Sequence, residues 1–97
     1  MRGISRKWLN ELARRYPDAK PRLDAWFHEA EGADWANPAQ LKVQYATASI
    51  LENGRVVFNV GGNNYRLVVR INYAYRVVYV RFAGTHREYD QIDAQEI

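Results

Sequence analysis

The sequence predicts an α+β fold, with N-terminal helices packed on one face of a C-terminal antiparallel β-sheet. Two observations carry that prediction. Before residue 47 the apolar residues recur at helical spacing, and after it they alternate with a period of two. Helices first and then a meander of strands is the order expected when helices segregate to one side of an antiparallel sheet. A third observation sets the scale: 97 residues, 47% hydrophobic, fit one globular domain spanning 1–97.

The elements follow in order. Ser5 is a candidate cap for a helix in which Trp8, Leu9, Leu12, Ala13 and Tyr16 share a face, and Tyr16-Pro17 ends it. Asp18 is the candidate cap of a second helix that tolerates Pro21 in its first turn. Its stripe is Leu23, Trp26, Phe27 and Ala30, and Gly32 is its expected end. Asn37-Pro38 starts a third, short helix that turns Leu41 and Tyr45 inward. ASILE then reads as a short strand, NGR as a turn and VVFNV as a second strand. Gly61-Gly62-Asn63-Asn64 is a hairpin turn; because a strand follows it rather than a helix, it is a poor phosphate loop. From Tyr65 to Tyr73 the odd positions are apolar and the even ones are Arg66, Val68, Arg70 and Asn72. Val77 to Phe82 follows, with Val78, Val80 and Phe82 on one face and Tyr79 and Arg81 on the other. Strict alternation therefore puts Arg66, Arg70, Tyr79 and Arg81 together on the face turned away from the helices.

Composition excludes several chemistries. With no cysteine there is no disulfide, no thiolate metal site and no cysteine nucleophile, so three Trp, seven Tyr and three Phe must supply much of the buried area. Trp8, Trp26, Phe27 and Trp35 are accordingly assigned to the core. The charged N-terminus lacks the apolar run of a secretory signal, and no stretch approaches the roughly 18 apolar residues of a membrane span. A cytoplasmic protein is the expectation. The net charge is only +3, but from Arg55 to Arg87 there are six arginines and no acid, whereas Glu88, Asp90, Asp93 and Glu96 follow without a base. Such a one-sign segment fits an anionic partner. It equally fits a solvated sheet face balanced by acids on the helices.

The segment RFAGTHREYDQID concentrates the candidate chemistry. Thr85-x-x-Glu88 is a capping box, and Tyr89 with Ile92 pins the turn to the core. His86 has no such structural explanation, and at a helix start it stands beside amides that favour an anion. His28 reads as solvated. Two histidines so far apart argue against a metal site.

Together, VVFNVGGNNYRLVVRINY, VYVRFAGTHREYDQID and the preceding ADWANPAQLK closely resemble the HigB family of RelE-like toxins from bacterial type II toxin–antitoxin modules. The resemblance runs from about Ser5 to Asp93. It implies cleavage of messenger RNA, generally on translating ribosomes and without a metal or other cofactor. It also implies a HigA-type antitoxin with a helix-turn-helix domain as partner, and no membrane. Asn64 stands where the family pattern leads one to expect lysine, and lysine is absent after Lys42, which leaves arginine to carry the positive charge.

Metal-free RNA cleavage lets the ribose 2′-hydroxyl attack the adjacent phosphate, leaving a cyclic phosphate and a 5′-hydroxyl. It needs a base, an acid and cations for the phosphorane charge. Histidine is the side chain whose charge changes near neutral pH, so His86 is the expected acid or base. Arg66, Arg70 and Arg81 are expected on the phosphate, since the guanidinium fork grips its oxygens while staying protonated. Tyr89 is expected to stack on a base or orient the phosphate, and Asp90 to orient His86. Arg55, Tyr79, Arg87 and Asn64, with Arg70, complete the expected RNA-binding set. Two other readings remain open: a ParE-like toxin that binds gyrase and cuts no RNA, and a non-catalytic RNA-binding module.

Overall fold

The computed structural model describes residues 1–62 and 64–97. The expected Gly61–Asn64 turn therefore includes one residue, Asn63, outside the described residues, while Gly61 and Gly62 adopt positive φ of 66° and 67°, which glycine allows in a tight turn. Helices α1 (Lys7–Arg15), α2 (Lys20–Gly32) and α3 (Pro38–Gln44) precede the strands β1 (Ser49–Ile50), β2 (Arg55–Val60), β3 (Tyr65–Asn72) and β4 (Val77–Thr85); a single turn, α4 (His86–Tyr89), follows. The sheet order is β1-β2-β3-β4 with every neighbouring pair antiparallel, so the α+β expectation holds. No helix among the described residues is long and apolar enough to cross a membrane.

The helical face of the sheet carries the main core. Val56, Phe58 and Val60 of β2 and Tyr65, Leu67, Val69 and Ile71 of β3 meet Leu9, Leu12, Leu23, Trp26 and Leu41. Phe58 lies between Trp26, Tyr45 and Trp35, at ring-centre separations of 5.4, 5.0 and 6.3 Å. Edge-on packing of Trp26 and Tyr45 on Phe58, with Trp35 tilted beside it, supplies area that a short chain without disulfides needs. Trp8 departs from its core assignment: it is 40% exposed and covers Phe82 at 5.6 Å. It stands one position off the Leu9/Leu12 stripe, which turns it toward the free edge of β4.

Two helix caps also differ from expectation, because tertiary partners intervene. Arg2 pairs with Val77 at the edge of β4, donating to the Arg76 carbonyl (2.8 Å) and accepting from the Val78 amide (2.9 Å). This holds the chain extended, so α1 begins only at Lys7 and Ser5 Oγ accepts from the Lys7 amide at 3.3 Å without being the N-cap. Asp18 does not cap α2; it lies in a 3₁₀ turn, Pro17–Ala19, and its carboxylate accepts the Tyr65 hydroxyl at 3.0 and 2.9 Å. Gly32 is the last residue of α2 rather than a left-handed cap beyond it. Asn37 does cap α3, accepting from the Gln40 amide at 3.0 Å.

The outer face differs most from the expectation. Val69 pairs with Val80 but Val68 pairs with Phe82, so Arg81 is an extra residue, a β-bulge between them. One inserted residue reverses the side chains beyond it. Phe82 therefore lies on the outer face with Val68 and Val57, not on the helical face with Val78 and Val80. The grouping of Arg81 with Arg66 and Arg70 by strict alternation fails for the same reason. The C-terminal segment then crosses this face: Tyr89, Ile92, Ala94 and Ile97 pack on Val57, Val68 and Phe82 as a second, smaller apolar cluster. Tyr89 and Ile92 thus do pin the turn, but to this cluster rather than to the main core.

Candidate active site

The chemistry-bearing turn is built by the end of β4. Thr85 Oγ1 accepts from the Glu88 amide at 3.1 Å and Glu88 Oε1 accepts from the Thr85 amide at 2.9 Å, so the capping box is complete. Gly84 lies beneath it, where a Cβ would stand 2.6 Å from the Phe82 ring and 3.0 Å from Glu88 Oε1. No other residue type lets the turn close so tightly on the strand. Arg15, at the end of α1, donates both of its terminal nitrogens to the Glu88 carboxylate at 2.9 and 3.0 Å. That guanidinium, followed by the Thr85 amide, pulls the Glu88 carboxyl from its ordinary 4.5 down to about 2. The fork therefore clamps α1 to α4.

This clamp positions His86. Its backbone amide donates to the Asn64 carbonyl at 3.0 Å, and its imidazole Nδ1 lies 3.0 Å from Asp90 Oδ2 one turn later. Both side chains are exposed. The amides expected to attract an anion are already occupied: that of His86 by Asn64, that of Glu88 by Thr85. Two of the first-turn amides are thus already engaged, so side chains are the main candidates for holding an anion here. Arg66 is the nearest candidate from the sheet. It is half-buried on the outer face, paired across the strands with Gly84 on one side and Asn59 on the other, and it donates to the Tyr65 carbonyl at 3.3 Å.

The remaining expected residues divide between two ends of the outer face. Arg66, His86, Asp90, Arg87 and the exposed Asn64 lie at one end. At the other, Arg55, Arg70 and Tyr79 form one cross-strand row, displaced from Arg66 by four residues of β3, roughly 13 Å. The apolar cluster under the C-terminal segment separates the two ends. Tyr89 is half-buried there, so its ring packs on the cluster. Arg81, exposed at the bulge, lies on β4 between the ends. Arg55 is turned toward carbonyls, donating to Ile97 (2.8 and 3.2 Å) and Asn53 (3.2 Å).

Within the charge run, the one arginine with an acid partner among the described ion pairs lies in the turn before β4, and its acid lies in the loop between α2 and α3 rather than on a helix. Arg76 is balanced, by Asp34 at 2.6 Å. Arg70, Arg81 and Arg87 make no ion pair among the described residues. Arg15 and Asn59, which border Glu88 and Arg66, were not anticipated. Arg15 reads as part of the charged face of an amphipathic helix, and Asn59 as a solvent-facing strand position. Neither carries a local signal.

Comparison with known proteins gives the family of the chain. The HigB toxin family model, described as the RelE-like toxic component of a toxin–antitoxin system, matches residues 19–92. The mRNA interferase toxin HigB of Escherichia coli K12 is 32% identical over 92 residues, covering 93% of this chain and 88% of that protein. The mRNA interferase HigB of Escherichia coli O6:H1 is 28% identical over 94 residues, covering 95% and 91%. With most of its length inside the family match, the chain belongs to the HigB family, the RelE-like toxic components of toxin–antitoxin systems.

Proposed function

We propose that this toxin is an endoribonuclease of a type II module that cuts messenger RNA on the translating ribosome, without a metal. The observation that supports the proposal is the His86–Asp90 pair, 3.0 Å apart, on the turn that follows Gly84, the residue across the strands from Arg66. The names of the relatives, mRNA interferases, support the same class of substrate. The carboxylate of Asp90 on Nδ1 orients the ring and leaves Nε2 to exchange a proton with the RNA. Arg66 binds the scissile phosphate and stabilises the charge that grows on it. The 2′-oxygen bonds to phosphorus as its proton leaves, the P–O5′ bond breaks, and the departing 5′-oxygen takes up a proton. His86 serves one of these two transfers. Tyr89 orients the phosphate through its hydroxyl while its ring stays on the apolar cluster.

An antitoxin holds such a toxin inactive. We assign that role to a HigA-type helix-turn-helix protein, acting in the cytoplasm. The test uses translating ribosomes carrying a defined message, with new 5′ ends mapped by primer extension. His86→Ala should slow cleavage about 10²–10⁴-fold. Arg66→Ala should slow it about 10²–10³-fold, with folding retained. Full cutting by both variants refutes the site assignment, and no cutting by the wild type refutes the activity.

A further inference from the structure

The far end of the outer face has no part in the bond-breaking chemistry, yet it forms a defined cleft. The floor is Arg70 and Asn72 of β3, one wall is Tyr79 of β4, and the other is the Asn53-Gly54 turn between β1 and β2; its volume is about 370 Å³. The turn is held there by the Gly54 carbonyl, which accepts from the Ile71 amide at 2.8 Å. Tyr79 is 45% exposed, directly across from Arg70. Arg70 in turn faces Arg55, and like charges set opposite one another in a sheet are unfavourable. Arg55 relieves part of this by bonding the Ile97 and Asn53 carbonyls. Arg70 makes no ion pair among the described residues, so its charge remains available at the floor of the cleft.

A cation, an exposed aromatic ring and side-chain amides around one small cleft match the three parts of a nucleotide. The guanidinium suits the phosphate and the ring suits the base face; the Asn53 amide, with the NH2 of Asn72, whose Oδ1 accepts from the Tyr75 amide at 3.2 Å, suits the base edge. Resting on the proposed ribonuclease activity, we infer that this cleft is a second nucleotide subsite, which holds the same RNA strand at a position removed from the cleaved bond. The C-terminal segment covers the centre of the face, so the strand runs along β4, past Arg81 at the bulge, between His86 and Tyr79. The far subsite contributes to binding and to the choice of neighbouring sequence, not to the chemical step.

The inference is tested by fluorescence anisotropy with 2′-O-methyl oligonucleotides, which cannot be cut, in a series from dinucleotide to octanucleotide. Wild type should show a step in affinity once the strand spans both ends. Arg70→Ala and Tyr79→Ala should each lose about tenfold on long oligonucleotides and little on the dinucleotide. Tyr79→Phe should keep the step, since the ring remains. Arg70→Ala should also lower the salt slope by about one for long strands alone. Arg14→Ala, the same charge change on the exposed side of α1, should alter neither. If affinity is independent of length, or both variants lose it equally at every length, the second subsite is refuted. If that happens while the wild type still cuts ribosome-bound message, the ribonuclease reading survives. Absence of both binding and cutting overturns the two together.

Discussion

Replacing Glu88 by glutamine separates the two jobs of that side chain. Glutamine still accepts from the Thr85 amide, so the capping box survives, but the charge facing Arg15 is gone. The carboxyl lies at about 2 against an ordinary 4.5, which corresponds to about 3 kcal/mol if realised in full. The side chain is 42% exposed, and solvent screens the pair, so about 1 kcal/mol is the expected loss at pH 7. Because the folded value is depressed, this stability is present above the ordinary carboxyl range and is lost as pH falls toward 2. Urea unfolding of wild type and Glu88→Gln at a series of pH values reads it. The gap between them should be largest near neutrality, narrow below about pH 5 and fall to under half by about pH 3. Asp24, also held low by Lys20 and Arg6, contributes to acid sensitivity in both proteins and cancels in the gap. A gap that stays constant down to pH 3 would refute the ion pair as its source, and no gap at pH 7 would refute the clamp between α1 and α4.

Two further outcomes are expected. Tyr65→Phe removes the hydroxyl bonded to Asp18, a charge-assisted bond between β3 and the turn before α2, and should lower stability by about 1.5 kcal/mol in the same urea assay. Gly54→Ala should cost about 1–3 kcal/mol, because φ is +75° and the added Cβ would lie 2.8 Å from the Ile71 carbonyl. An unchanged midpoint would show that the Asn53-Gly54 turn is not held against β3.

What could be read in the sequence was the part whose cause is local. The period of two in Tyr65–Tyr73, the Asn37-Pro38 start and the Thr85/Glu88 box all depend on residues within one turn or one pleat of each other, and each is found. Ser5 and Asp18 carry the same kind of signal and do not cap. A β4 edge and a Tyr65 hydroxyl distant in sequence compete for them. The bulge at Arg81 is invisible for a deeper reason: an extra residue has meaning only relative to the strand opposite it, and that pairing is tertiary.

The candidate site divides along the same line. His86, Asp90 and Arg66 were legible from residue chemistry and from the resemblance of the chain to its family. The sequence alone also determined the order of helices and strands, the core face of β3 and the turn that carries His86, since all follow from periodicity and capping. Only the tertiary structure decided that the arginine face is two ends rather than one surface. There the bulge sends Phe82 outward, and with Val57 and Val68 it forms an apolar surface that the C-terminal segment must cover to keep water away. It decided, too, that Arg15 holds Glu88, because two side chains 73 residues apart meet only when α1 is laid against β4.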